Sequence, residues 1–127
     1  MSTATTTVTD AFRDLLSKLQ SGEILDAFGQ HYAPNVEMTE GTGQTTSGFE
    51  ANLEREKQFL ASVKEWKSLT VQATAINDEG NGNGATFIEY SFDFINTDEQ
   101  PVHYEQVARQ TWSGGKIISE RFYYNAG

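Results

Sequence analysis

The chain of 127 residues contains no cysteine, and this absence excludes several kinds of chemistry. Disulfide bonds, thiolate nucleophiles and cysteine-based zinc or iron–sulfur sites cannot form. Only two histidines, His31 and His103, carry imidazole groups, so one chain cannot build a three-histidine metal site. We therefore expect no metal site, and as a separate expectation no cofactor.

Positive charge is also scarce. Lys and Arg total 9 against 18 Asp and Glu, which gives a formal net charge of −9. Binding to nucleic acids or to anionic membranes requires clustered cations, so both are disfavoured. No apolar run approaches the length of about 20 residues that a membrane span needs, and the first residues do not resemble a secretory signal. The sequence predicts a cytoplasmic protein.

Glycine-rich segments are present, but they lack the patterns that bind nucleotides. Residues 41–48 (GTGQTTSG) precede a predicted helix without the Gly-Lys-Ser/Thr ending of a phosphate-binding loop. Residues 80–84 (GNGNG) lie between predicted strands instead. No Gly-x-Ser-x-Gly nucleophile motif occurs, so nucleotide binding and serine-hydrolase chemistry are not expected.

The composition is that of one ordinary globular domain, with 37% hydrophobic and 21% charged residues. Residues 1–9 are rich in Thr, Ser and Ala and have little to bury, which predicts a flexible N-terminal tail. Residues 10–127 are predicted to form the single domain.

Three helices are predicted in the first half of the chain. The first follows a cap at Thr9 or Asp10, and the second runs from Glu23 until Pro34 stops it. The third begins near Gly48, where Ser47 and Glu50 have the spacing of a capping box, and continues to about residue 63. Apolar residues recur at helical spacing in each segment.

The second half of the chain changes to alternating, strand-like sequence. Strands are predicted at residues 35–40, 69–76, 85–95, 102–113 and 116–124, with a loop at residues 41–47. Asn-Gly pairs within residues 78–84 indicate a tight hairpin. The order α-α-β-α-β-β-β-β predicts an α+β fold in which helices pack on one face of a strongly curved antiparallel sheet.

Two segments resemble the NTF2-like superfamily. Residues 19–23 (LQSGE), Phe28 and residues 32–38 (YAPNVEM) are similar to its opening, and residues 112–124 (WSGGKIISERFYY) to its closing hairpin. The resemblance is greatest to SnoaL-like proteins and implies the cone-shaped, cystatin-like fold. It also implies a homodimer through the sheet. The superfamily includes ketosteroid isomerases, polyketide cyclases, epoxide hydrolases, dehydratases and non-catalytic modules.

The catalytic residues of these enzymes carry over only in part. The general base of the isomerases aligns near Glu40, whereas the tyrosine of their oxyanion hole aligns with Leu15. Their protonated aspartate falls at Val107 or Ala108, and the last aspartate of the epoxide hydrolases falls at Phe122. The resemblance therefore implies a fold without indicating one particular enzyme.

The last hairpin gives a register prediction. If Gly114-Gly115 is a two-residue turn, Trp112 faces Ile117 and Arg109 faces Glu120, unless a one-residue bulge intervenes. The resemblance favours Glu120, Phe122 and Tyr124 on the concave face, which would place an Arg109–Glu120 pair inside the cone. Trp112, Ile117 and Tyr123 would then form an apolar patch outside, suited to a homodimer.

Three residues are candidates for catalysis. Glu40 could act as general base, Arg109 as electrophile and Glu120 as the group that orients Arg109. The alternatives are a solvated Glu40 and a purely structural Arg109–Glu120 ion pair. The candidates for lining a ligand pocket are Tyr32, Phe49, Phe59, Trp66, Tyr90, His103, Phe122 and Tyr124. The aromatic residues among them could instead be simple core, and His103 a surface residue.

Three functions remain open. The first is a small-molecule-binding protein, or a cofactor-free enzyme of isomerase, cyclase or dehydratase type that acts on a hydrophobic carbonyl compound. The second is a non-catalytic dimerisation or interaction module with a filled cone. The third is an accessory protein that binds apolar ligands loosely. Open volume with convergent polar groups inside the cone would favour the first.

Overall fold

The computed structural model describes residues 7–124, which form three helices and one six-stranded sheet. The helices are α1 (Val8–Gln20), α2 (Ile24–His31) and α3 (Phe49–Ala61). The strands are β1 (Tyr32–Thr39), β2 (Thr45–Ser47), β3 (Val63–Gly80), β4 (Asn83–Asn96), β5 (Pro101–Ser113) and β6 (Lys116–Tyr123). The predicted α+β class is confirmed, and the helix and strand order is as predicted apart from the short strand β2.

The first helix begins earlier than predicted. The Thr7 hydroxyl accepts a hydrogen bond from the backbone N–H of Asp10 at 3.0 Å, and Val8 is fully buried. Residues 7–9 therefore belong to the folded domain rather than to a tail, and residues 1–6 of that predicted tail lie outside the described residues. The helix buries one apolar stripe: Val8, Ala11, Phe12 and Leu15.

The start of α3 is fixed differently from the prediction. No side chain caps this helix, so the predicted capping box of Ser47 and Glu50 is wrong. The buried Asn52 side chain instead donates through Nδ2 to the Thr46 and Gly48 carbonyls at 2.9 and 2.8 Å. This amide connects the first turn of α3 to β2, a short strand where a loop was predicted.

The strands follow the order β2-β1-β6-β5-β4-β3. Neighbours are antiparallel except β1 and β6, which run parallel, so the sheet is mixed rather than wholly antiparallel. The β3–β4 turn holds Asn81 and Gly82 at φ values of 58° and 78°, as the Asn-Gly signal predicts. Register shifts interrupt β3 at four places, and such bulges bend a strand and increase its twist.

The register of the last hairpin corrects the sequence prediction. Trp112 pairs with Ile117, but an irregularity follows and Thr111 then pairs with Ser119. Glu120 consequently lies opposite Gln110, and Arg109 lies opposite Arg121. The predicted Arg109–Glu120 pair is therefore wrong, because the extra residue in β6 shifts every pair beyond it.

The core lies between the helices and one face of the sheet. Trp112 and Ile117 are buried there, so their predicted place in an outer apolar patch is also wrong. The remaining buried apolar side chains of the sheet include Val36, Met38, Ile88, Phe92, Phe94 and Ala108. Within residues 7–124, none of the helices has the length and apolar character needed to cross a membrane. The cytoplasmic location stays a prediction.

The Asn52 connection gives a stability test. Replacing Asn52 with Ala removes the donor of the Thr46 and Gly48 carbonyls in a buried position, so the free energy of unfolding should fall by about 2 kcal/mol. Urea denaturation measures the loss. Glu54→Ala on the exposed face of the same helix is the control and should stay within about 0.5 kcal/mol of wild type. Equal effects of the two changes would contradict this role of Asn52.

Candidate active site

A cavity of about 340 Å³ lies between the helices and the concave face of the sheet. Much of its wall is apolar and comes from α1, α2, α3, β3 and β4: Leu15, Leu19, Ile24, Phe28, Phe59, Trp66, Leu69, Ile88 and Phe92. The aromatic rings stack on one another, as Trp66 does on Phe92 with centroids 5.7 Å apart. A volume of this size is at the lower end of the range for small-molecule sites, about 300–1,000 Å³.

Glu120 is the most deeply buried acid that lines this cavity. Glu120 is only 4% exposed, and both of its carboxyl oxygens accept hydrogen bonds. The Tyr32 hydroxyl donates to Oε1 at 2.6 Å, and Gln110 donates through Nε2 to Oε2 at 2.6 Å. The carboxyl is thus held by side chains from β1 and β5, the two strands on either side of its own strand.

Behind Gln110 the hydrogen bonds continue into the core. The Trp112 indole donates through Nε1 to the Thr86 hydroxyl at 2.9 Å, and that hydroxyl donates to Gln110 Oε1 at 2.8 Å. All three residues are at most 2% exposed. We call Trp112, Thr86 and Gln110 the donor chain, because each member donates one hydrogen bond to the next group in the direction of Glu120.

Burial raises the pKa of Glu120 to about 7, since desolvation penalises the charged carboxylate. The hydrogen bonds from Gln110 and Tyr32 act in the opposite direction and limit the rise. The negative charges of Glu56 and Glu40 add to it. A carboxyl that titrates near neutral pH can both accept and return a proton under ordinary conditions.

Glu56 is a second acid at the cavity. It lies on α3, and burial with the nearby charge of Glu40 raises its pKa to about 7, although Arg55 partly counteracts this. Among residues 7–124, no group donates a hydrogen bond to its carboxyl. Of these two acids, Glu120 has both oxygens hydrogen-bonded, whereas Glu56 can accept a hydrogen bond from a ligand.

The cavity wall also contains a cluster of polar side chains: Glu40, Arg55 and Tyr124. Arg55 Nη2 lies 2.9 Å from Glu40 Oε1, and Arg55 Nη1 donates to the Thr46 hydroxyl at 2.7 Å. The Tyr124 hydroxyl donates to Glu40 Oε2 at 3.2 Å. Both oxygens of Glu40 are thus engaged by neighbours, and one of these is the cationic Arg55, whereas the two donors to Glu120 are neutral.

Tyr90 supplies a free hydrogen-bond donor. Its hydroxyl accepts from Gln106 Nε2, and no group among the described residues accepts the hydroxyl proton. Burial, with the charge of Glu120, raises the pKa of Tyr90 above the usual range of a tyrosine, so it stays neutral. A neutral hydroxyl with an unused proton can donate to a ligand oxygen.

Most of the predicted pocket residues lie at the cavity: Tyr32, Phe59, Trp66, Tyr90, Phe122 and Tyr124, together with the acids Glu40 and Glu120. Phe49 does not line it but packs behind it, with its ring centroid 4.9 Å from that of Phe28. The structure therefore brings Glu40 and Glu120 to one cavity, as expected if either acts on a ligand.

Two predicted site residues lie elsewhere. His103 is on the convex face, where its exposed ring contacts Asp93 at 2.7 Å, so its assignment to the pocket is wrong. Arg109 also points to the convex face, opposite Phe87 and Arg121. Alternation along β5 explains the positions of His103 and Arg109, because the even-numbered residues of this strand face the cavity.

Sequence reasoning missed the polar residues Arg55, Glu56, Gln106 and Gln110. A signal existed for Glu56, because it continues the apolar stripe of Phe49, Leu53 and Phe59 along α3. An acid at such a position is directed toward the core rather than toward solvent. Gln110 could be found only with the correct register of the last hairpin.

No metal site emerges from these acids. Within the part of the chain that the structure describes, no group of three His, Asp or Glu side chains is placed to hold a metal ion.

No protein family model matches the sequence, and no curated protein matches it either. Solved structures do match. A SnoaL-like polyketide cyclase candidate from Mesorhizobium loti shares 21% identity at a TM-score of 0.69, over 94% of this chain and 100% of that one. An NTF2-like superfamily protein from Salmonella enterica shares 15% identity at 0.73, over 94% and 89% of the two chains.

A candidate isomerase from Bacillus subtilis is similar as well, with 14% identity, a TM-score of 0.68 and coverage of 92% of this chain and 85% of that one. These likenesses show the fold alone, which is the NTF2-like fold. Proteins with this fold have several different activities, so the fold does not determine the function, and the residues of the cavity do.

The buried carboxyl of Glu120 gives a pH prediction. Its pKa is about 7 in the folded protein and 4.5 for an unperturbed glutamate, so between these pH values the folded state keeps a proton that the unfolded state has released. Folding stability from this group therefore falls as pH rises, by about 3 kcal/mol in total. Glu120→Gln should remove that dependence.

Urea unfolding at pH 4 and pH 8 provides the measurement. The stability of wild type minus that of Glu120→Gln isolates this group from other titrating residues, such as His31, whose pKa is lowered by burial. The exposed Glu37→Gln, on neighbouring β1, is the control and should give a difference independent of pH. A flat difference for Glu120→Gln would show that Glu120 titrates normally.

Proposed function

We propose that the protein is a cofactor-free enzyme that moves a proton on a small, mostly apolar carbonyl compound. The observation that carries the proposal is a buried carboxyl, Glu120, with a pKa of about 7 at a largely apolar cavity. An apolar wall favours an apolar ligand, and a near-neutral carboxyl suits reversible proton transfer at physiological pH.

Glu120 is the general base in this proposal. Its carboxylate takes a proton from the carbon next to the ligand carbonyl, and the C–H electron pair forms the carbon–carbon double bond of an enolate. The Tyr90 hydroxyl donates a hydrogen bond to the carbonyl oxygen, where negative charge develops. Arg109, the electrophile expected from the sequence, has no part because it lies on the other face.

The fate of the enolate determines the reaction type. Return of the proton from Glu120 to a different carbon gives isomerisation, loss of a leaving group from the neighbouring carbon gives dehydration, and attack on a second carbonyl gives cyclisation. The acids Glu40, Glu56 and Glu120 at the cavity disfavour anionic ligands, since Arg55 is the only cation of residues 7–124 that lines it. The solved relatives include a cyclase candidate and an isomerase candidate, which is compatible with this chemistry.

Proton exchange tests the proposal without knowledge of the natural substrate. A panel of β,γ-unsaturated cyclic ketones is incubated with the protein in D2O, and deuterium incorporation next to the carbonyl is followed by NMR. Glu120→Gln should lower the exchange rate by at least about 100-fold, and Tyr90→Phe by about 100-fold. The matched control Glu37→Gln should change it by less than about twofold.

Two results would count against the enzyme. Exchange that survives Glu120→Gln would remove Glu120 as the base. Ketones that bind without any exchange in wild type would favour the alternative, a non-catalytic binding or interaction module.

We also propose that a second copy of the chain covers the convex face of the sheet. Phe87 and Tyr123 are exposed there, at 38% and 46%. Cross-strand pairing places Arg109 and Arg121 in one row with Phe87, and Glu105 lies two rows away beyond Val107. A two-fold axis near Val107 would bring the arginines of one copy against Glu105 of the other.

Charge reversal tests this dimer. Arg121→Glu alone and Glu105→Arg alone should each weaken self-association at least about tenfold, because both two-fold-related contacts become repulsive. An equal mixture of the two variants should dimerise again, since both contacts are then attractive. Analytical ultracentrifugation gives the masses. Unchanged dimers in both single variants, or a monomeric wild type, would contradict the interface.

A further inference from the structure

We propose that Thr86 and Trp112 are positioning residues, which hold the side-chain amide of Gln110 so that its nitrogen rather than its oxygen faces Glu120. The role of Glu120 as the base rests on the proposed function, whereas the orientation of the amide rests on hydrogen bonds alone. Thr86 and Trp112 do not line the cavity, so they act through Gln110 and do not touch a ligand.

The direction of the donor chain follows from its first member. An indole N–H can only donate, so the Thr86 hydroxyl must accept from Trp112 and is left with its own proton to give. Gln110 lies 2.8 Å away and can accept that proton only through Oε1. The amide is thereby oriented, and its Nε2 points to Glu120 Oε2.

A Gln110 amide with its oxygen and nitrogen exchanged would favour the protonated rather than the ionised form of Glu120. Its Oε1 would face a carboxylate oxygen, which is repulsive for the ionised acid and favourable for the protonated one. The Thr86 hydroxyl proton would also lose its acceptor in a fully buried position. The donor chain therefore favours the ionised form of Glu120, which is the form that a base requires.

Other groups also influence Glu120 and must be kept constant in a test. Tyr32 of β1 donates to it directly, and the charges of Glu56 on α3 and Glu40 at the end of β1 act on it. Arg55, Tyr90, Tyr104 and Tyr124 complete the titratable groups at the cavity wall. Substitution of Thr86 leaves all of these unchanged.

Thr86→Val tests the proposal, because valine keeps the shape of threonine and removes the hydroxyl. NMR of protein carrying 13C at the glutamate carboxyls gives the pKa of Glu120, whose signal is identified with Glu120→Gln. We expect the pKa of Glu120 to rise by about one unit, so that its ionised fraction at pH 7 falls from about one half to about one tenth. The acidic limb of the exchange rate against pH should move by the same amount.

Thr86→Ser restores the hydroxyl and should return both values to those of wild type. Thr111→Val is the matched control, since Thr111 lies beside Gln110 on β5 but faces the convex side. If Thr86→Val does not fold, Thr86→Cys replaces the hydroxyl with a weak donor and should give a smaller shift in the same direction.

The outcomes separate this inference from the proposed function. An unchanged pKa of Glu120 in Thr86→Val, or in Thr86→Cys where valine does not fold, would overturn the inference even if exchange depends on Glu120. An equal shift in Thr111→Val would overturn it as well. A shift that is specific to Thr86 would support the inference even if no ketone undergoes exchange, in which case only the proposed function fails.

Discussion

The buried carboxyl of Glu120 must be hydrogen-bonded from both sides, and this requirement joins the central strands of the sheet. Four neighbouring strands contribute to its environment: Tyr32 from β1, Glu120 itself from β6, Gln110 from β5 and Thr86 from β4. A buried charge without such partners would cost several kcal/mol, and the partners reduce that cost without cancelling it. The remaining desolvation leaves the pKa of Glu120 near neutral, which connects the packing of the sheet to the chemistry proposed for the cavity.

This arrangement requires the irregularity in the last hairpin. With uninterrupted pairing from the Gly114-Gly115 turn, Glu120 would lie opposite Arg109 rather than Gln110. One extra residue in β6 lets Trp112 pair with Ile117 while Gln110 pairs with Glu120, so all four face the core side of the sheet. The same shift places Arg121 beside Arg109, which alternation along β5 already directs to the convex face. A single bulge therefore determines both the polar interior and the charge pattern of the face proposed to bind a second copy.

The fold was largely predictable from the sequence, and the site only in part. Helical stripes, alternating strands and the Asn-Gly turn are local signals, and they predict the α+β class with the element order. The extra residue of β6, opposite Thr111 and Trp112, has no comparable local signal. A prediction based on regular pairing therefore placed Arg109 opposite Glu120, which is wrong. Glu56 was overlooked for a different reason: an acid on a helix is usually solvated, and only its position on the apolar stripe of α3 distinguishes it. Pairs such as Tyr32 and Glu120, far apart in sequence, depend on β1 and β6 running parallel, which the sequence pattern did not indicate.

In the mechanism that we propose, a directed set of hydrogen bonds holds Glu120 as an ionised base at an open cavity. Neutron diffraction from a deuterated crystal at pH 8 tests this most directly, because it locates the hydrogen positions themselves. We expect deuterons on Tyr32 and on Gln110 Nε2 that point to Glu120, a Thr86 deuteron that points to Gln110 Oε1, and none on the Glu120 carboxyl. A deuteron on Glu120 at this pH, or a Gln110 amide with its oxygen toward Glu120, would contradict it.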